Sequence, residues 1–144
     1  MVNHLRALEI QNKFLLRLDK GEEIIQSLIE FADKQKIGFA SVSGIGAARR
    51  VRLAIFDTKN KKYAERDFQG DLEIVSLLGN VTMADGMPRI HLHAAITGDD
   101  LNVHGGHLIS ATVSVTCELV LTASGEKVGR KKDGETGLML ISGD

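Results

Sequence analysis

The sequence predicts an α+β fold: a compact, mostly antiparallel sheet with one principal helix packed on it. Three observations lead there. Many short β-type runs are separated by Gly, Asn and Lys turn clusters, one stretch has strong helical periodicity, and the helical segments are too few for repeated βαβ units. The length of 144 residues fits one domain, expected over 1–144 with a core at about 6–122 and a polar tail over 123–144.

Residues 5–18 read as two short strands around a Gln11-Asn12 turn, with Phe14, Leu16 and Leu18 alternating against Leu15 and Arg17. Asp19 offers an N-cap, and Glu22 and Glu23 supply acids for a first helical turn. A helix is therefore expected over 22–34, burying Ile24, Ile25, Leu28, Ile29, Phe31 and Ala32 and ending in 35–38. Strands follow at 39–45, 51–57 and 62–68, the last two joined by a hairpin around Thr58-Lys59-Asn60. Residues 72–83 predict a central strand in which Gly79 marks a bulge or a close backbone approach. After a turn over 84–88, strands are expected at 89–96, 103–108 and 112–121, the last with Val113, Val115, Cys117 and Leu119 on one face. The segment 124–137 is polar and Gly-rich, and 138–141 reads as an edge strand or docking segment.

Composition narrows the function classes. The 18 Lys+Arg residues balance 19 Asp+Glu to a net charge of -1, where a dedicated nucleic-acid binder shows a basic excess or patch. Basic clusters at Arg49, Arg50 and Arg52, at Lys59, Lys61 and Lys62, and at Arg130, Lys131 and Lys132 read as solvated turns and tails. No apolar run approaches the roughly 20 residues of a membrane span, and the start carries no secretory pattern, so a soluble, cytoplasmic protein with no membrane partner is expected. The single cysteine, Cys117, can form neither an internal disulfide nor a multi-thiolate zinc site, and its apolar neighbours predict a small buried residue. Ser43-Gly44-Ile45-Gly46-Ala47 contains Gly-x-Gly but lacks the third glycine and the helix of a pyrophosphate site, and reads as a structural turn. Walker-type, nucleophile-elbow and His-Glu-x-x-His patterns are absent, and Asp99-Asp100 reads as a solvated turn.

Four of the five histidines lie between positions 91 and 107. On a strand, His91 and His93 project from the same face, roughly 6–7 Å apart at Cα, so their imidazoles can converge on one ion. A third imidazole from a neighbouring strand would give a three-histidine set, which on zinc leaves one position open. His107 is the chosen third ligand, because Gly105 and Gly106 before it permit close backbone approach. His104 ranks second, since three residues earlier it falls on the opposite face of an extended segment. His4 reads as a surface residue. Glu73, Asn80 and Glu118 are possible hydrogen-bond partners for the ligating rings. No separate general base stands out, which weighs against a catalytic role and leaves only chemistry at a metal-bound water open.

Several stretches resemble the PPC (plants and prokaryotes conserved) domain family: 43–47, Glu73 to Asn80, Pro88-Arg89-Ile90-His91-Leu92-His93 and Gly105-Gly106-His107-Leu108. The resemblance runs over roughly 6–122, in matching order and spacing. It implies a compact α/β fold assembled as a homotrimer, with His91, His93 and His107 at the positions that bind metal, typically zinc, in prokaryotic members; His104 matches no histidine of the pattern. Plant members join the domain to AT-hooks with an Arg-Gly-Arg-Pro core, and this chain has none. The leading expectation is a trimeric module that binds zinc, or another divalent transition metal, and whose site takes a small-molecule ligand or supports an unidentified reaction. A DNA-binding or transcription-associated protein and an oligomeric protein-interaction scaffold are the alternatives.

Overall fold

The computed structural model describes residues 6–143. The chain forms β1 (Arg6–Ile10), β2 (Lys13–Asp19), α1 (Ile24–Lys34), β3 (Phe39–Asp57), β4 (Lys62–Ala84), β5 (Met87–Thr97), β6 (Val103–Ser124), β7 (Gly129–Lys132) and β8 (Met139–Ser142). The expected α+β class holds: one helix against a sheet whose pairings are antiparallel apart from a single parallel contact, Met83 with Gly129, between β4 and β7.

The sheet runs β1-β2-β6-β3-β4-β7-β8, and β5 bridges β4 and β6. The path β3–β4–β5–β6 therefore closes on itself, giving β5 a partner along both edges. Leu16 and Leu18 of β2, Val51 of β3, Ile74, Leu77 and Val81 of β4, Leu92 and Ile96 of β5 and Leu119 and Leu121 of β6 fill the core. The α1 helix packs its Ile24, Leu28, Phe31 and Ala32 face into it, against β5 and β6. Phe31 meets Phe14 edge to face at 5.3 Å between ring centroids.

Several expected boundaries shift. The helix cap is Glu23 rather than Asp19: Glu23 Oε2 accepts the Gln26 N–H at 2.7 Å, and its Oε1 accepts the Ala111 N–H of β6 at 2.9 Å. Glu22 turns back to accept the Asp19 N–H, so no acid lies in the first turn. The strands expected separately at 39–45 and 51–57 are one strand, as are 62–68 with 72–83 and 103–108 with 112–121. The Ser43–Ala47 run is not a turn. Its small residues carry the backbone through register shifts at Gly44/Gly46, Gly46/Ala48 and Ala48/Arg50 that bend β3 without ending it. The same irregularity breaks the alternation expected in β6, so that Val113, Cys117 and Leu119 are buried while Val115 is 69% exposed. Gly79 marks a close approach rather than a bulge: a Cβ there would overlap His91 O and meet Leu92 Cα at 2.9 Å. The C-terminal segment, read as a polar tail with an edge strand, forms the β7–β8 hairpin, docked on β4 through Met83.

Candidate metal centre

Two of the three histidines come from β5. Leu92, Ala94 and Ile96 of that strand are buried in the core, so alternation turns His91 and His93 to the other face. Their rings meet edge to face, 5.2 Å between centroids. The antiparallel β6 sets His107 directly opposite His93, with ring distances of 5.6 Å to His93 and 5.2 Å to His91. One candidate ligand atom from each ring lies within 4.8 Å of the others. Tetrahedral donors at zinc–nitrogen distances of about 2.0–2.1 Å sit about 3.4 Å apart, so modest ring rotations bring the set to binding distance.

The placement of His107 depends on what surrounds its strand. Gly106, just before it, runs so close to β3 that a Cβ would stand 2.8 Å from Ala54 O. Tyr63 of β4 stacks on the His107 ring at 4.8 Å and 22°, and Phe56 of β3 backs Tyr63 edge to face at 5.3 Å. The expected Gly-Gly effect on backbone approach is therefore seen at Gly106, inside a continuous strand.

Electrostatics favour neutral, donor-ready imidazoles at His91 and His107. Burial pushes His91 down from 6.5 to about 4, helped by the nearby charges of His107, Arg130, His93 and Arg89. Burial, then His93 and Arg89, lower His107 as well. The Nδ1 atom of His107 is buried without a hydrogen-bond partner, an arrangement that costs free energy unless something binds there. Three imidazoles, one with a buried nitrogen that has no partner, fit a borderline-soft divalent ion, and these residues could hold one.

A cavity of about 150 Å³ opens beside the rings, walled by Tyr63, Arg89, His91, His107, Arg130 and the 138–140 segment. Arg130 is the residue that sequence reasoning missed, having been placed in a solvated tail. The β7–β8 hairpin turns it inward instead. Its Nε donates to Thr82 Oγ1 at 2.7 Å, Nη1 to Met139 O at 2.8 Å and Nη2 to Asn80 Oδ1 at 2.9 Å. Burial and the neighbouring Arg89 lower its pKa. The one available signal was the apolar run at 138–141, which gives the tail a reason to dock.

The remaining candidates separate clearly. Asn80 pairs with His91 in the β4–β5 register, but its Oδ1 is taken by Arg130. Glu73 pairs with Thr97 and Glu118 with Arg17 and Ile45, both well along their strands from the rings. His104 pairs with Ile96 and sets its exposed ring on Phe68 at 5.1 Å, away from the other three. His4 lies outside the described residues. Asp100 caps its turn by accepting the Asn102 N–H at 3.0 Å, as expected of a solvated loop. Arg52 is engaged by Asp67 at 2.6 Å and Glu65 at 3.5 Å. Among the described residues no helix is long and apolar enough to cross a membrane.

The chain is similar over its length to solved structures. A metal-containing protein from Archaeoglobus fulgidus is 37% identical, with 99% of each chain covered and a TM-score of 0.83. A plant- and prokaryote-conserved (PPC) protein from Pyrococcus horikoshii is 31% identical over 99% of this chain and 97% of that one, at 0.84. A protein from Bacteroides thetaiotaomicron described as a candidate DNA-binding protein is 28% identical over 97% and 98%, at 0.94. No curated protein sequence matches. The profile of the Plants and Prokaryotes Conserved domain covers residues 6–124, taking in all three histidines and stopping short of the β7–β8 hairpin. This chain belongs to the Plants and Prokaryotes Conserved (PCC) domain family.

Proposed function

We propose that this protein is a metal-binding module in which His91, His93 and His107 hold one divalent transition-metal ion, zinc first among them, and leave a coordination position open toward the cavity. The observation that carries this reading is the convergence of three imidazole donors to within 4.8 Å on neighbouring strands, one of them with a buried, unpartnered nitrogen. The Archaeoglobus relative named as metal-containing supports it. When bound, such an ion supplies Lewis acidity toward a small ligand. The chain itself holds the His91 and His107 rings toward the neutral form by burial, braces His107 against Tyr63 and walls off part of the solvent with the β7–β8 hairpin.

Metal analysis of the purified protein tests the proposal. About one equivalent per chain is expected, falling to background in a His91→Ala/His93→Ala variant that remains folded. Equal sub-stoichiometric content in both would end the metal reading. The homotrimer implied by the resemblance belongs to the same proposal. Exposed apolar strand residues such as Ile55 (73%), Val103 (64%) and Val115 (69%) are surfaces that assembly would cover, and a monomeric mass in sedimentation at micromolar concentration would refute it.

A DNA-binding reading draws on the description of the Bacteroides relative. The net charge of -1 and the pairing of Arg52 with acids weigh against it. Duplex binding at low ionic strength that weakens steeply with salt would support it, and undetectable binding would remove it.

A further inference from the structure

We propose that the cavity beside the histidines is a binding site for a small carboxylate, held by Arg130 and Arg89 next to the metal. The inference rests on the metal-binding reading and names the class of ligand that site takes.

Charge is the first argument. The cavity walls carry two guanidinium groups and no carboxylate. Arg130 makes three hydrogen bonds, all to neutral acceptors, so no counter-charge offsets its partial burial. Arg89 has no hydrogen bond or ion pair among the described residues, and its charge adds to that of Arg130. A divalent ion on three neutral imidazoles would make the pocket more positive still. A partly desolvated cluster of like charges is unfavourable alone and becomes favourable when an anion enters it.

Geometry is the second argument. A guanidinium has five N–H donors, and Arg130 uses three on Asn80, Thr82 and Met139, leaving two. Those three bonds fix the plane of the group, so its remaining donors are positioned before any ligand arrives, which lowers the entropy cost of binding. Planar carboxylates suit such a fork. The cavity of about 150 Å³ has room for a small organic acid. Tyr63 and the Leu138–Leu140 stretch supply apolar wall for a short carbon chain beside the charged end.

The third argument is chain economy. Arg130 belongs to the β7–β8 hairpin, which joins β4 through the Met83–Gly129 contact and the Arg130 bonds. Burying a cation against neutral acceptors is a costly way to dock a hairpin, and an apolar side chain would do it better. The cation is explained if it serves a ligand.

Proton NMR on cobalt(II)-loaded protein tests this, with propionate as the probe, propionamide as its uncharged counterpart, inorganic phosphate as a competing anion and zinc-loaded protein as the diamagnetic control. The expected result is saturable paramagnetic broadening of the propionate methyl signal, absent for propionamide. The propionate Kd should rise about tenfold or more in Arg89→Gln and in Arg130→Gln, the scale of losing a hydrogen bond to a charged group. Arg89→Gln is the decisive variant, because Arg89 is exposed and supports no other contact, so folding and cobalt loading should match the unmodified protein. Equal broadening by propionamide, unchanged propionate affinity in Arg89→Gln, or no saturable broadening by propionate would each overturn the carboxylate assignment while cobalt loading left the metal reading intact. Failure of the folded protein to take up cobalt would instead sink the metal reading beneath it.

Discussion

Behind the candidate metal centre β4 passes very close to β5 at Gly79, and a single methyl group tests how much the site depends on it. In Gly79→Ala the new Cβ would overlap His91 O and approach His91 C to 2.8 Å and Leu92 Cα to 2.9 Å, all backbone atoms of the strand that carries two of the histidines. No flexible side chain can move aside. Relief requires β4 and β5 to separate locally by an ångström or so, in a strand paired on both edges and backed by the buried Leu92. Overpacking commonly costs about 1–3 kcal/mol, and a backbone-on-backbone clash belongs at the upper end. At about 3–4 °C per kcal/mol for a chain of this size, thermal unfolding at fixed protein concentration should fall by about 10 °C. Metal affinity should drop with it, because the displaced backbone is that of His91. Gly125→Ala, where the added Cβ meets nothing within 4 Å, should melt within a degree or two of the unmodified protein. If Gly79→Ala melted like that control and kept its full metal content, the close approach would not be what positions the β5 histidines.

Other consequences can be checked alongside. In the metal-free protein the folded-state pKa of His91 lies at about 4 and that of His107 is also lowered, so the unfolded chain binds more protons between 6.5 and these values. The stability from their neutral burial is complete above about pH 6.5 and declines as pH falls toward 4. Melting of protein held in chelator across that window should show the decline, smaller in His91→Asn, and a flat profile would contradict it. Removing both roles of Glu23 in Glu23→Ala, the cap on Gln26 and the acceptor for the buried Ala111 N–H, should cost about 2 kcal/mol, or about 6 °C in melting temperature. His104→Ala should leave metal content unchanged, since the ring sits on Phe68 and faces away from the triad; loss of metal would mean that the fourth histidine had been misassigned.

What the sequence made legible follows the range of the forces involved. Strand alternation is a local rule, and it paired His91 with His93 without knowledge of the rest of the fold. The β4–β5 hairpin and the helical face of Ile24, Leu28 and Phe31 were legible for the same reason. Register between distant strands is not local: the opposition of His93 and His107 is what selects His107 over His104, and the residues themselves could rank the two only by the Gly105-Gly106 context and by parity. Bulges defeated the pattern twice, where Gly44–Ala48 reads as a break yet carries a continuous strand, and where Val115 leaves the face of its neighbours. The largest miss was Arg130. A charged residue in a polar segment is normally solvated, and nothing nearby in sequence announces that Asn80 and Thr82, about fifty positions earlier, wait as acceptors.

The β7–β8 hairpin thereby divides the labour within the chain. The three rings stand on strands that also carry the core, so a change there would disturb folding and the proposed metal site together. The far wall of the cavity is borne instead by a short hairpin joined to β4 through Met83 and the bonds of Arg130. Substitutions in that hairpin would change what approaches the three rings without touching the strands that carry them.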